Sequence, residues 1–179
     1  MERTYIALLR GINVSGTNKL PMMQLKAIAE GLGLDHCHTY IQSGNLVFKA
    51  DDVGGLEARL AAAIEIECGF RPPVILRSLA QWKEIIAHCP FMAEAGDAPA
   101  SVHVYLLGET PQQKHLDDLT SRNFGTDRWQ VGEGAVYLHL PDGVGRSKLA
   151  NSIERILKVP MTGRNWQTMQ AIEALGENA

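Results

Sequence analysis

Three loops of the sequence combine glycine, amide or hydroxyl residues with cations, each beside a predicted helix. The first is the run RGINVSGTNK, which follows an apolar strand and contains Arg10, Gly11, Asn13 and Lys19. Backbone N–H groups of a strand-to-helix loop can form a concave anion site, and here two cations bracket them. The loop is longer than the roughly two to six residues of an ordinary connection, which suggests a binding loop, and a plain structural connection is an equally good interpretation.

The second loop is PDGVGRSK, between a predicted strand and a predicted helix. Ser147 is placed to cap that helix, and Arg146 and Lys148 add positive charge where the helix dipole favours an anion. The string G-x-x-x-x-G-K-[ST] of phosphate-binding P-loops is absent, so a turn with an ordinary helix cap is the alternative interpretation and is favoured over an anion site.

The third loop, TGRNWQT, and one hairpin turn contain further polar candidates. In TGRNWQT, Arg164 can reach an anion or a backbone carbonyl, and Asn165 can cap the last helix; a structural tail is the alternative. In the hairpin turn around Gly44, Ser43 is a candidate nucleophile and Asn45 a candidate polar contact. A turn selected for its backbone conformation is favoured there, because no G-x-S-x-G nucleophile elbow is present.

Aromatic residues and histidines alternate with aliphatic ones in two predicted strands near the middle of the chain. If these strands are central neighbours, one sheet face carries four rings, those of His103, Tyr105, Tyr137 and His139. RNA-recognition modules stack bases on such a face. Their signature string is absent, and packing of this face against the N-terminal unit of the protein or against a partner chain is the favoured alternative.

Composition limits the function classes. The net charge of −3 and an aromatic content of 6% argue against a general nucleic-acid coat protein. Three cysteines without a C-x-x-C pair predict free thiols in a reducing cytoplasm, and we expect no metal site and no cofactor. We expect neither a signal peptide nor a membrane span, because no apolar run approaches about 18 residues.

The elements that must position these loops follow a repeated order. Residues 1–78 predict a β-α-β-β-α-β unit of the ferredoxin-like type, an α+β fold with an antiparallel sheet. Residues 79–100 predict a linking helix and a loop rich in alanine, proline and glycine. Residues 101–179 predict a second β-α-β-β-α unit with a C-terminal helix. The matching order of elements predicts a structural duplication.

The strings ALLRGINVSGTNKLPM, TYIQSGNLVF, GRSKLANSIERIL and TGRNWQTMQAIEAL resemble the domain-of-unknown-function family 1697. The resemblance extends from the first strand to the last helix. It implies paired ferredoxin-like units and no established activity. It also implies recurring positions, most of them polar and in loops, here Arg10, Gly11, Asn13, Lys19, Ser43, Gly44, Asn45, Ser147, Arg164, Asn165 and Trp166. Ser15 stands where the family usually carries glycine.

Three functional hypotheses follow. We favour binding of a phosphorylated small molecule or nucleotide in a cleft where the basic loops converge. Nucleic-acid binding on the four-ring sheet face is the first alternative, and a non-catalytic protein-interaction module is the second. The sequence contains no complete catalytic constellation, so it leaves enzymatic activity, ligand identity and oligomeric state open.

Overall fold

A computed structural model describes all residues from 1 to 179 and shows an α+β protein with two four-stranded antiparallel sheets and seven helices. The chain divides into two units, one made of Met1–Glu84 with Ala171–Ala179 and the other of Ile85–Gln170. The division falls within the third and the seventh helix. The boundaries predicted at residues 78 and 100 stay a prediction. None of the helices has the length and apolar character needed to cross a membrane.

The first unit contains one sheet and two helices that cover one of its faces. Its elements are β1 (Arg3–Leu9), α1 (Met22–Gly31), β2 (Asp35–Tyr40), β3 (Asn45–Ala50), α2 (Leu56–Cys68) and β4 (Val74–Ser78), followed by α3 (Leu79–Ala87). The strand order is β2-β3-β1-β4, and β1 pairs antiparallel with both β3 and β4. This central place of β1 agrees with its nearly continuous apolar sequence.

The core of the first unit lies between this sheet and its helices. Leu9 and Phe48 on the strands pack with Leu25 of α1 and Leu60 of α2, and all four are fully buried. Leu56, Leu60 and Ile64 recur at helical spacing on α2, so one stripe of the helix faces the sheet.

The second unit repeats this arrangement. Its elements are α4 (Met92–Asp97), β5 (Val102–Leu107), α5 (Gln113–Ser121), β6 (Arg128–Val131), β7 (Ala135–His139), α6 (Lys148–Leu157) and β8 (Met161–Asn165), followed by α7 (Trp166–Glu177). The strand order is β6-β7-β5-β8. Its core joins Leu138 of β7 to Leu149, Ile153 and Ile156 of α6. The expected loop before residue 101 is wrong in part, because it contains α4 and a short 3-10 turn.

Each unit has an equivalent pair of backbone hydrogen bonds at the end of its first strand. In the first unit, the Leu9 N–H donates to the Gly44 carbonyl at 2.8 Å, and the next N–H, of Arg10, donates to Pro73 at 3.1 Å. In the second unit, the Leu107 N–H donates to the Gly134 carbonyl at 3.0 Å, and that of Gly108 donates to Pro160 at 2.8 Å. The same strand end therefore meets a hairpin glycine and a proline in both units.

A second correspondence lies where the last strand of each unit enters a helix. Arg77 of β4 and Arg164 of β8 each donate from Nη1 to the carbonyl of the preceding residue at 2.9 Å. The next residue then caps the following helix. Ser78 Oγ accepts from the Gln81 N–H at 3.1 Å, and Asn165 Oδ1 accepts from the Thr168 N–H at 2.9 Å.

Candidate anion-binding loops

The loop between β1 and α1 forms a small hairpin of its own. Val14 and Thr17 pair as an isolated antiparallel bridge, with the Thr17 N–H donating to the Val14 carbonyl at 2.9 Å. The two residues between them, Ser15 and Gly16, both have positive φ (50° and 76°), as a tight two-residue β-turn of the primed type requires. This loop is therefore an ordered element that projects from the end of β1.

Asn13 fixes the hairpin to the body of the unit. Its Nδ2 donates to the carbonyls of Leu20 at 2.9 Å and Gln42 at 2.8 Å, and its Oδ1 accepts from the Leu20 N–H at 2.8 Å. Asn13 also has a positive φ of 53°, which asparagine tolerates better than most residues. The side chain predicted to contact a ligand is thus used for internal bonds, and it joins the 10–20 loop to the 40–44 turn.

The base of the hairpin brings its two ends together. Asn18 Nδ2 donates to the Gly11 carbonyl at 3.1 Å, and the Asn13 N–H donates to the Asn18 carbonyl at 3.0 Å. Arg10 and Lys19, each next to one of these bonded residues, are both exposed. Both residues therefore adjoin the base of the hairpin.

Two consecutive backbone donors lie between these cations. The N–H groups of Gly11 and Ile12 have no acceptor within the chain, although Ile12 is only 2% exposed. The sign of φ alternates over residues 11–13, being positive at Gly11 and Asn13 but not at Ile12. Such alternation can direct successive N–H groups to one side, as in backbone anion sites. Gly11 is itself exposed and Ile12 is buried, so the Ile12 N–H is the donor whose lack of an acceptor is unusual.

The turn between β2 and β3, residues 40–44, packs against this loop. Asn45 is fully buried, and its Nδ2 donates to the Tyr40 carbonyl at 2.8 Å and to Ser43 Oγ at 3.0 Å. Gly44 has φ of +88°, and a Cβ there would lie 2.8 Å from both Leu9 Cβ and Ile12 Cδ1. These contacts give Gly44 and Asn45 structural roles, and they place Ser43 in the hydrogen bonding of the turn.

The same turn contains a strained residue that the sequence analysis missed. Ile41 has a positive φ of 48° and is 49% exposed. A β-branched residue rarely adopts this conformation, and its side chain here faces solvent instead of filling the core. Val14, in the adjoining hairpin, is 55% exposed. The tendency of isoleucine to be buried gives no sequence signal for such a position.

The 141–148 loop of the second unit has a different local structure. Ser147 is buried and caps α6 by accepting from the Ala150 N–H at 2.9 Å, while its hydroxyl donates to Asp127 at 2.7 Å. A carboxylate therefore already lies beside this cap, which disfavours a second anion there. Arg146 and Lys148 are exposed next to the cap. Ser147 itself has the capping role that was the alternative interpretation.

The segment 162–168 places its predicted site residues inside the second unit. Arg164 is 8% exposed and donates to Thr162 Oγ1 at 2.9 Å in addition to the Gly163 carbonyl. Burial lowers the pKa of its guanidinium to about 10. Asn165 is used as the cap of α7. Neither side chain presents its polar atoms as an open surface site.

The expected face of four rings is wrong, because the strand register separates them. Tyr137 pairs with Val104, and Tyr105 pairs with Val136, so the two tyrosines point to opposite faces of the sheet. Tyr105 packs with the α5 and α6 core, whereas Tyr137 is 2% exposed and donates its hydroxyl to the Ile85 carbonyl at 2.6 Å. Burial raises the pKa of Tyr137 to about 12.

His103 and His139 have different environments on these two faces. His103 is 9% exposed, and its Nδ1 has no hydrogen-bond partner. Burial lowers the pKa of this imidazole, and the backbone of Ser101 offsets part of that effect. His139 is partly exposed and lies 3.2 Å from Arg128 Nη2 through its own Nδ1. Neither ring lies on an open stacking surface with Tyr105.

A polar cluster around Arg128 was also missed from the sequence. The Arg128 guanidinium donates to Glu94 at 2.6 Å and stacks over the Phe91 ring at 5.1 Å, and the His139 ring lies 5.8 Å from Phe91. Arg128 lowers the pKa of the Glu94 carboxyl through the shared hydrogen bond. Glu94 and Arg128 are 34 residues apart, so spacing in the sequence gives no indication of the cluster.

The predicted site residues thus fall into two groups. In the first unit, the 10–20 hairpin and the 40–44 turn are joined through Asn13, and Arg10 and Lys19 of the hairpin are exposed. In the second unit, Ser147, Arg164 and Asn165 have internal partners. Convergence of all three basic loops on one cleft stays a prediction.

Comparisons with known proteins agree with the fold. The conserved bacterial protein SP0830 from Streptococcus pneumoniae superposes on 99% of this chain and 99% of its own, with a TM-score of 0.80 and 23% sequence identity. At that identity the likeness concerns the fold alone. No curated protein matches the sequence. Residues 1–137, which include the 10–20 loop and the 40–44 turn, match a family described as "Protein of unknown function (DUF1697)". The chain therefore belongs to that family.

Proposed function

We propose that the first unit binds a phosphorylated small molecule at the loop formed by residues 10–20. The observation that carries the proposal is the pair of consecutive N–H groups, of Gly11 and Ile12, that have no acceptor within the chain. A phosphate oxygen is the strong acceptor that such a pair fits, as in other backbone anion sites. The proposal concerns binding and includes no bond-making step.

Charge at the base of the hairpin supports the same ligand class. Lys19 is exposed and has no ion-pair partner, and Arg10 adds a second positive charge next to Gly11. Hydrogen bonds between cations and phosphate oxygens are roughly twice as strong as neutral ones. The net charge of the chain is −3, so this local surplus is a feature of the loop and not of the whole surface.

Comparison of the two units supports a binding role for the loop. The connection from β1 to α1 runs over residues 10–21, whereas the corresponding connection from β5 to α5 runs over residues 108–112. The same step of the fold can therefore be made with fewer than half as many residues. The extra length folds into the 14–17 turn and the Asn13 bonds instead of filling the core. Long, ordered connections of this kind are usually functional.

A thermal-shift titration tests the proposal. The panel contains inorganic phosphate, sulfate, sugar phosphates, mononucleotides and a short single-stranded RNA, each at two salt concentrations. A ligand at about 100 times its Kd adds about 2.7 kcal/mol of stability, and each kcal/mol raises Tm by about 2–4 °C for a chain of this size. We expect a rise with a phosphorylated small molecule and a much smaller rise in Lys19→Gln.

Lys114→Gln is the matched control, because Lys114 is an exposed lysine of α5 and its replacement changes the net charge equally. An equal loss of response in both variants would indicate a nonspecific charge effect and contradict the proposed site. A response to RNA alone that weakens steeply with salt would instead favour nucleic-acid binding.

Protein interaction is a second candidate, and one surface feature favours it. An apolar groove of about 380 Å³ lies between α1 and α2, with Ala27, Gly31 and Ala63 among its lining residues. Ile66 borders the groove and is 83% exposed. Replacement of Ile66 by glutamate should leave Tm unchanged while abolishing binding of a partner that is recovered with the wild-type chain. Retained binding would exclude this groove as the interface.

We further infer that both units are ferredoxin-like and arose by duplication. The equivalent strand orders, the shared bonds at Gly44 and Gly134, and the paired arginines Arg77 and Arg164 support this inference. We also infer a cytoplasmic location, which agrees with three free cysteines in the structure.

A further inference from the structure

Two exposed aliphatic side chains stand beside the proposed phosphate site. Val14 adjoins Asn13 in the hairpin, and Ile41 adjoins Gln42 in the 40–44 turn. The bond between Asn13 Nδ2 and the Gln42 carbonyl, 2.8 Å long, holds these two segments together. Val14 and Ile41 therefore each adjoin one partner of this hydrogen bond, and both are exposed, at 55% and 49%.

The backbone at Ile41 indicates that this exposure is maintained at an energetic cost. A residue with φ of +48° is strained when it is β-branched, and asparagine or glycine would be favoured at such a turn position. Strained residues persist where the surrounding structure fixes them, and they concentrate at ligand-binding sites. An apolar contact with a ligand gives Ile41 a role that neither the turn nor the core provides.

Together these features describe a site with one polar and one apolar part. The polar part consists of the Gly11 and Ile12 N–H groups with Lys19, and the apolar part consists of Val14 and Ile41. We propose that the ligand is a nucleotide, whose phosphate binds the polar part and whose base lies against the apolar part. This inference rests on the proposed function and commits it to one ligand class. A sugar phosphate would leave the apolar side chains in water.

Calorimetric titrations of the full chain with four probes test the inference. The probes are inorganic phosphate, ribose 5-phosphate, a set of the four ribonucleoside monophosphates, and the corresponding nucleosides. We expect at least one monophosphate to bind about tenfold or more tightly than ribose 5-phosphate, which corresponds to about 1.4 kcal/mol. Ribose 5-phosphate and phosphate should bind with similar affinity.

Two variants report on the apolar part without unfolding the chain. Val14→Thr keeps the branched shape and removes a methyl group in favour of a hydroxyl. Ile41→Asn places a residue that tolerates positive φ, so its Tm should equal or exceed that of the wild type. Both variants should lose most of the advantage of the monophosphate and keep the affinity for inorganic phosphate.

The outcomes separate this inference from the proposed function. Equal affinities for the monophosphates and ribose 5-phosphate would overturn the nucleotide assignment and leave phosphate binding intact. Unchanged monophosphate affinity in both variants would also overturn it. Binding of nucleosides without any phosphate response would contradict both proposals, and so would the absence of any binding.

Discussion

At the scale of single residues, two glycines of the first unit are required at their positions for different structural reasons. Gly44 and Gly16 both have positive φ, but only Gly44 has neighbours that a Cβ would meet, at 2.8 Å from Leu9 and Ile12. Gly16 has open space around the same atom. The pair therefore separates the effect of backbone conformation from that of close packing.

We expect Gly16→Ala to lower the free energy of unfolding by about 1 kcal/mol, because alanine is strained at positive φ. Gly44→Ala should cost at least about 2 kcal/mol more, because the added methyl group overpacks a buried contact. Urea denaturation of the two variants measures the difference. Equal costs would show that Leu9 and Ile12 move aside without penalty.

His103 predicts a pH dependence of stability. In the folded chain, burial lowers the pKa of its imidazole below the ordinary value of 6.5. Just below pH 6.5 the unfolded chain therefore binds a proton that the folded chain does not. The contribution of His103 to stability is therefore fully present above pH 6.5. It is lost as the pH falls from 6.5 towards the lowered pKa of the folded state.

Replacement of His103 by leucine should remove this part of the pH dependence, as measured by denaturation between pH 5 and 8. The variant should also be at least as stable as the wild type at pH 7.5, because it removes the unpartnered Nδ1, which costs about 1–3 kcal/mol when buried. An unchanged loss of stability on acidification would show that other groups are responsible.

At the scale of elements, Asn13 makes three side-chain hydrogen bonds that hold the 10–20 hairpin to the first unit. Asn13→Ala removes three hydrogen bonds and should lower the free energy of unfolding by about 3 kcal/mol, at about 1 kcal/mol each. Asn18→Ala is the matched control, because Asn18 has a similar φ of 49° and its side chain donates one bond. Equal destabilisation by the two changes would contradict the role assigned to Asn13.

The helix caps give a second prediction at this scale. Ser78 and Asn165 occupy corresponding positions before α3 and α7, so Ser78→Ala and Asn165→Ala should each cost about 1 kcal/mol. Ser147→Ala should cost more, because it removes the cap of α6 and also the hydrogen bond to Asp127. Thermal denaturation measures all three, and a neutral Ser147→Ala would show that water replaces both bonds.

At the scale of the whole molecule, the sequence predicts the α+β class and the antiparallel sheets because turns and apolar periodicity are local signals. It does not predict which side chains share a face of the second sheet. Both faces of β5 are largely buried, with Val102, Val104 and Leu106 on one side and His103 and Leu107 on the other. Alternation along such a strand does not show which residues lie on which face of the sheet. The pairing of Tyr137 with Val104 joins residues that are far apart in the sequence, so local patterns cannot predict it.

The sequence likewise does not predict the hydrogen bonds of the candidate anion-binding loop. Loop length and composition draw attention to residues 10–19, but they do not distinguish a ligand contact from an internal bond. Asn13 reaches Gln42 across 29 residues, and Asn45 is enclosed by its own turn. Sequence spacing cannot show either arrangement, and it cannot show that the N–H groups of Gly11 and Ile12 have no acceptor.

The most direct test is a phosphate titration of the ¹⁵N-labelled chain followed by NMR. Phosphate bound at the hairpin should shift the amide signals of Gly11 and Ile12 progressively until they saturate, with smaller shifts at Lys19 and none at Ala150, whose N–H is bonded to Ser147. Saturation at these two amides would locate the anion at the hairpin. Unchanged Gly11 and Ile12 signals at saturating phosphate would contradict the central claim.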